Sequence, residues 1–226
     1  MRVVLAAAAV AALAAVAAPA GGATGECNGI QRCIPVAGPW VVVPAHGSVR
    51  YLLSCPQGRS VVGGLDALAT SREVTVSFSG RIGAPVQPGV TTTRYALFHA
   101  VSTSAKRQAF QPRLGCIPVA GGGGRSTVSA RVTAPGPALD LVARITVVGP
   151  GATRFGRIGC PAGEKLADTW QSLAFRTKNP PPLSEANYVR AGYVVVKGKA
   201  VVTASATDAL NIDDHAVVQT GVGCLP

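Results

Sequence analysis

Carboxylates and histidines are scarce in this 226-residue chain, and that scarcity bounds its chemistry. Ten acids and three histidines would have to supply every general acid, general base or metal ligand. No Gly-x-Ser-x-Gly elbow is present, which removes that route to a serine hydrolase. No P-loop and no dinucleotide fingerprint occurs. The Gly121–Gly124 run is followed by Arg125-Ser126, which is not a phosphate cradle. Aromatics make up only 5% of residues, so a core must be filled mainly by Val, Ala, Leu and Ile, with Trp40 and Trp170 as candidate anchors. Beyond the N-terminal stretch no apolar run is long enough to span a bilayer. A capped 3.6-residue period is also missing. Lys165–Leu173 comes nearest to one, and it reads as strand in preference to a short helix.

What is present begins with a leader pattern. Arg2 precedes the apolar run Val3–Ala18, and Ala18-Pro19-Ala20 and Ala23 offer small residues for cleavage. This predicts a signal peptide over residues 1–23, because the run falls short of the roughly 20 residues a membrane span needs. The remaining chain is expected to be secreted or associated with the cell envelope. It keeps all 10 acids and 20 of its 21 bases, since only Arg2 leaves with the leader, so it is strongly basic.

All six cysteines follow the leader: Cys27, Cys33, Cys55, Cys116, Cys160 and Cys224. An even count in an exported chain predicts three disulfides, and spacing alone allows about 15 pairings. A repeat selects among them. Cys55 and Cys160 each open a Cys-Pro-x-Gly phrase. Cys116 and Cys224 each close a Gln-x-x-x-Gly-Cys-[Ile/Leu]-Pro phrase. The separations, 61 and 64 residues, are similar. Equivalent positions in a repeat should do the same job. The expected pairs are therefore Cys55–Cys116 and Cys160–Cys224, with Cys27–Cys33 closing a small loop.

Short alternating stretches between Pro and Gly signals predict an all-β chain. Glu73–Ser79 sets Val74, Val76 and Phe78 on one face. Tyr95–Val101 sets Tyr95, Leu97, His99 and Val101 together, which puts His99 on an apolar face. Thr127–Thr133 and Leu139–Val147 form a hairpin through Pro135-Gly136-Pro137, with Leu139, Leu141, Ala143, Ile145 and Val147 inward. Tyr188–Val196 and Ala200–Ala206 join at Lys197-Gly198-Lys199. The expected architecture is two tandem disulfide-stapled β-sandwich units, Ig-like or similar. The first covers residues 24–118 and includes the short disulfide loop. The second covers 119–226 and carries an extra hairpin at 126–147.

The functional expectation is a non-catalytic extracellular or envelope binding or structural module. Its partner would be an anionic envelope polymer or another secreted protein. The local basic groupings single out Arg154, Arg157, Arg176, Lys178, Lys197 and Lys199 as candidate anionic-ligand contacts. Arg154 and Arg157 should point to opposite faces of a strand. Specific nucleic-acid recognition is not expected, because no reading motif is present. Neither is a cofactor, a metal site or a catalytic residue. The alternative is a secreted hydrolase that uses scattered carboxylates, or Asp214 with His215 in the one acid–histidine cluster. Asp66 and Asp168 lie at comparable depths after their opening cysteines and read as repeat equivalents that serve the fold.

Overall fold

The computed structural model describes residues 25–28, 33–56, 60–79, 94–118, 139–213 and 215–226. The leader, the Gly121–Gly124 run, the 127–133 strand and the 135–137 turn expected from the sequence lie outside these residues. The described chain is β-rich, as the alternation predicts. Its strands are β1 (Ile34–Ala37), β2 (Trp40–Val43), β3 (Ser48–Ser54), β4 (Ser60–Ala69), β5 (Val74–Ser79), β6 (Tyr95–Ser102), β7 (Gln108–Pro118), β8 (Asp140–Val148), β9 (Thr153–Gly159), β10 (Lys165–Phe175), β11 (Val189–Val196), β12 (Lys199–Ala206) and β13 (Ala216–Leu225). Among the described residues the only helical turns are short 3-10 pieces at Gly25–Cys27 and Leu183–Asn187. Lys165–Leu173 is strand.

The disulfides join Cys27 to Cys33, Cys55 to Cys116 and Cys160 to Cys224, the pairs that the repeated phrases imply. Strand connectivity repeats around them. In the first half β4 pairs with β7, while β6 pairs with both β3 and β5. In the second half β10 pairs with β13, and β12 with both β9 and β11. The far edge of β7 takes β1 and β2 in succession, with Gly38-Pro39 between them. The far edge of β13 takes the single strand β8. Both halves also carry an irregularity at the same place, between Val62 and Gly64 and between Leu166 and Asp168.

The halves share one sheet. Ala174 and Phe175 of β10 pair with Val41 and Trp40 of β2, giving the order β4, β7, β2, β10, β13, β8. Antiparallel pairing at each step makes β7 and β13 run in opposite directions, so each half carries its second sheet on the opposite face. Alternate residues bear this out. Val41, Val43, Ala174 and Val217 join a core with Tyr51, Phe98 and Phe110. Their neighbours Val42, Phe175 and Val218 join a second core with Val202 and Ala204.

The faces of β6 and β8 depart in part from the sequence expectation. On β6 the residues in the first core are Ala96, Phe98 and Ala100; of the face read from the sequence, Tyr95 and Leu97 join a different cluster and Val101 is 41% exposed. Leu97 packs on the other side against Leu52 and Trp170, so β6 is apolar on both faces and alternation could not choose between them. His99 is half-buried beside that contact. On β8 Val142 and Val148 join the cores of the second half, while on the opposite face Leu141 and Ala143 pack against Leu52 and Trp170 as expected but Ile145 and Val147 stay exposed. The second half's own sheet covers only one side of β8.

The closing phrase has a physical reading in this arrangement. A Cβ on Gly115 would stand 1.9 Å from the Glu26 carbonyl oxygen, so the disulfide loop at the N-terminus can lie on β7 only where that residue is glycine. The phrase's glutamine is buried in both halves. The Gln111 amide donates to the Gly38 carbonyl at 3.0 Å. Gln219, 1% exposed, accepts from Leu52 N–H at 2.6 Å and donates to Leu52 C=O at 2.8 Å. Its amide thereby pairs the outer edge of β3 as a neighbouring strand would. Gln219→Leu leaves both Leu52 groups buried without this partner. A loss of roughly 2–4 kcal/mol is expected. Urea unfolding would read it as a lower midpoint at unchanged slope.

Candidate functional site

The outer face of β9–β12–β11 is the clearest surface feature. Ala200, Val202, Ala204 and Ala206 point into the cores, so Lys199, Val201, Thr203 and Ser205 point out. Register then fixes which neighbours share that face. Lys199 lies between Val196 and Gly159; Val201 lies between Val194 and Arg157. Thr203 lies between Gly192 and Phe155, and Ser205 between Arg190 and Thr153. Such cross-strand neighbours sit close enough for their side chains to act together. The rows join three bases, Lys199, Arg157 and Arg190, to apolar residues that stand in water. Phe155 is 75% exposed, Val194 61% and Val196 50%. None of these positions carries an acid.

The six basic candidates divide between two places. Arg157 and Lys199 belong to this face. Lys197 sits in the two-residue hairpin turn beside it, where Lys197 and Gly198 both have positive φ, at 49° and 71°. Arg154 is exposed but projects on the opposite side from Arg157, as the strand period requires. Arg176 and Lys178 follow β10 and lie elsewhere. Sequence reasoning missed Arg190, Phe155, Val194 and Val196. The alternation Arg190-x-Gly192-x-Val194-x-Val196 was readable, but not which of its faces is covered.

Arg176 lines a cleft of about 430 Å³ at the junction of the halves, with Tyr51, Leu53, Pro39, Ile145 and Thr177. Burial pushes the Tyr51 phenol up to about 12, although the Arg176 charge pulls it back. Lys178 is exposed and does not line this cleft.

Arg50 joins the halves by charge. Its guanidinium donates to both carboxylate oxygens of Asp168 and to the Thr169 carbonyl at 3.0 Å, and it lies 5.3 Å from the centroid of the Trp170 ring. The Arg50 hydrogen bond holds the Asp168 carboxyl below its ordinary range despite partial burial. Asp66 does a different job, accepting from Gly25 N–H at 2.7 Å and Ala67 N–H at 2.8 Å. Asp66 and Asp168 are not repeat equivalents. Asp168 lies opposite Gly223, directly before Cys224, whereas Asp66 lies opposite Arg113, three positions before Cys116.

Among the described residues the three histidines lie apart from one another. His46 occupies an exposed turn at φ 46°, and His99 is on β6. His215 is exposed just before β13 and accepts Arg176 N–H through its main-chain oxygen. Asp214 lies outside the described residues. Among the described residues no three His, Cys, Asp or Glu side chains are grouped to hold a metal ion. No described helix is long and apolar enough to cross a membrane. Comparison with protein-family models, curated proteins and solved structures finds no match to this chain.

The depressed Asp168 carboxyl has a signed consequence. Its contribution to stability is complete above the unfolded value near 4 and is lost as pH falls through the lower folded value. Both partners are about a third exposed, so the contribution at pH 7 is held to about 1 kcal/mol or less. Asp168→Asn should therefore lie below the wild type in urea midpoint at neutral pH. The gap should close at about pH 2, measured by urea unfolding at both pH values.

Proposed function

We propose that the protein is a non-catalytic binding module of the cell exterior or envelope, and that its ligand is an anionic polymer held on the β9–β12–β11 face. One observation carries this reading: Arg157, Lys199 and Arg190 share one face of the β9–β12–β11 sheet, which has no acid at its positions, with exposed Phe155, Val194 and Val196. Charge complementarity draws a polyanion to such a surface and steers its approach. The apolar residues between the bases suit a polymer with apolar faces between its charges, as the sugar rings of an acidic polysaccharide have. Exposed large apolar side chains rimmed by polar ones are a usual mark of an interaction surface. Three disulfides and the leader pattern agree with export.

The test is affinity for polygalacturonate over a salt series, by calorimetry. The wild type should bind, with affinity falling steeply as salt rises. The variant Arg157→Gln, Lys199→Gln, Arg190→Gln removes exposed charges only and should keep its thermal midpoint. Its affinity should drop by about tenfold or more, since each exposed ion pair contributes up to about 1 kcal/mol. Absence of wild-type binding at low salt, or an unchanged affinity in the variant, would overturn the reading. Binding to anionic lipid vesicles but not to the polymer would assign the face to a membrane surface instead.

A further inference from the structure

The cleft between the halves presents chemistry that neither the strand repeat nor the β9–β12–β11 face uses. It forms because the second sheet of the first half, led by β3, covers only part of the common sheet's face. Past that cover the chain turns away at Ala37-Gly38-Pro39, and Arg176-Thr177 leaves β10 beside it. Its volume, about 430 Å³, lies within the range of small-molecule sites, which favour such junctions. Leu53, Pro39 and Ile145 supply apolar walls. Ile145 is a large apolar residue left 41% exposed on this face.

Two residues with donor groups share the lining. Arg176 borders the cleft, and no acid lines it. Tyr51 lines the cleft from within the core, with 1% of its surface exposed, and the Arg176 charge acts on its phenol. Thr177 is committed elsewhere, since its hydroxyl donates to the Asn179 carbonyl at 2.7 Å. A cation and a hydroxyl in an apolar groove match an anionic head on an apolar body. We infer that this cleft is a binding site for a small aliphatic carboxylate, with Arg176 and the Tyr51 hydroxyl holding the carboxylate and Leu53, Pro39 and Ile145 receiving the chain.

The probe is octanoate, titrated into the intact protein by calorimetry at neutral pH and low salt. Saturable 1:1 binding is expected. Arg176→Gln should weaken it by about tenfold or more, the usual size of a charge-assisted hydrogen bond. Tyr51→Phe keeps the packing of the ring and should weaken it by a few-fold. Octan-1-ol, with the same chain and no charge, should bind about tenfold more weakly than octanoate. Arg157→Gln should leave octanoate binding unchanged, which separates this site from the polymer-binding face. Near-ultraviolet circular dichroism of each variant confirms that the fold is intact. Failure of octanoate to approach saturation of the wild type by about 20 mM would overturn the proposal, because the dissociation constant would then lie above the low-millimolar range. Equal binding by Arg176→Gln, or equal binding of octanol, would overturn the assignment of the carboxylate to Arg176.

Discussion

Four consecutive residues, Trp40 to Val43, hold the two halves of the protein to one another. All four are buried, and they form the strand β2. One edge of β2 pairs with β7 of its own half, and the other meets β10 of the second half. Its alternate side chains enter different cores, Val41 and Val43 on one face and Val42 on the other. A strand covered on both faces has no polar side to offer, which is why Trp-Val-Val-Val is continuous and apolar where most strands alternate. Every other feature of the architecture follows from this shared position, including the opposite placement of the two smaller sheets.

That opposition decides what each half needs on its uncovered face. In the first half the gap is filled by the N-terminal disulfide loop. Glu26 is buried there, with Arg113 3.7 Å from its carboxylate. In the second half the equivalent face meets β3. Gln219 caps the edge of that strand, and Arg50 reaches across to Asp168 and over Trp170. The indole takes its place because Gly221 has no side chain; a Cβ there would stand 1.9 Å from the ring. The cover reaches Leu141 and Ala143 of β8 but not Ile145, and the cleft opens at that limit. The outer face of β9–β12–β11 lies beyond both cores, so its Phe and Val residues have nothing in the chain to pack against.

Much of the covalent and strand-level organisation was legible. The duplicated phrases pointed to the disulfide pairs because repeats place equivalent cysteines in equivalent contacts. The hairpin turn at Lys197-Gly198-Lys199 was readable from Gly198, which takes a positive φ freely, but not that Lys197 shares that conformation or that Lys199 belongs to the strand. Faces were harder to read. Tyr95, Leu97, His99 and Val101 were read as the apolar face of β6, yet Ala96, Phe98 and Ala100 fill one core while Leu97 packs behind them in another cluster. Where both faces of a strand are apolar, a period of two carries no direction. The same ambiguity hid Ile145 and Val147. The likeness of Asp66 and Asp168 rested on counting from the opening cysteine, but register, not distance along the chain, sets which residues correspond.

The sequence by itself determined the all-β class, the paired cysteines and the excess of positive charge, because each of these depends on residue type and local spacing. It also kept catalytic residue types few. Only the tertiary structure decided that the two halves share a sheet, that their smaller sheets lie on opposite faces, and that Arg157, Lys199 and Arg190 meet on one surface while Arg176 turns towards Tyr51. Those outcomes depend on strand register and on which faces are covered by distant segments. No local pattern encodes them, since the same alternation serves a buried face and an exposed one equally well.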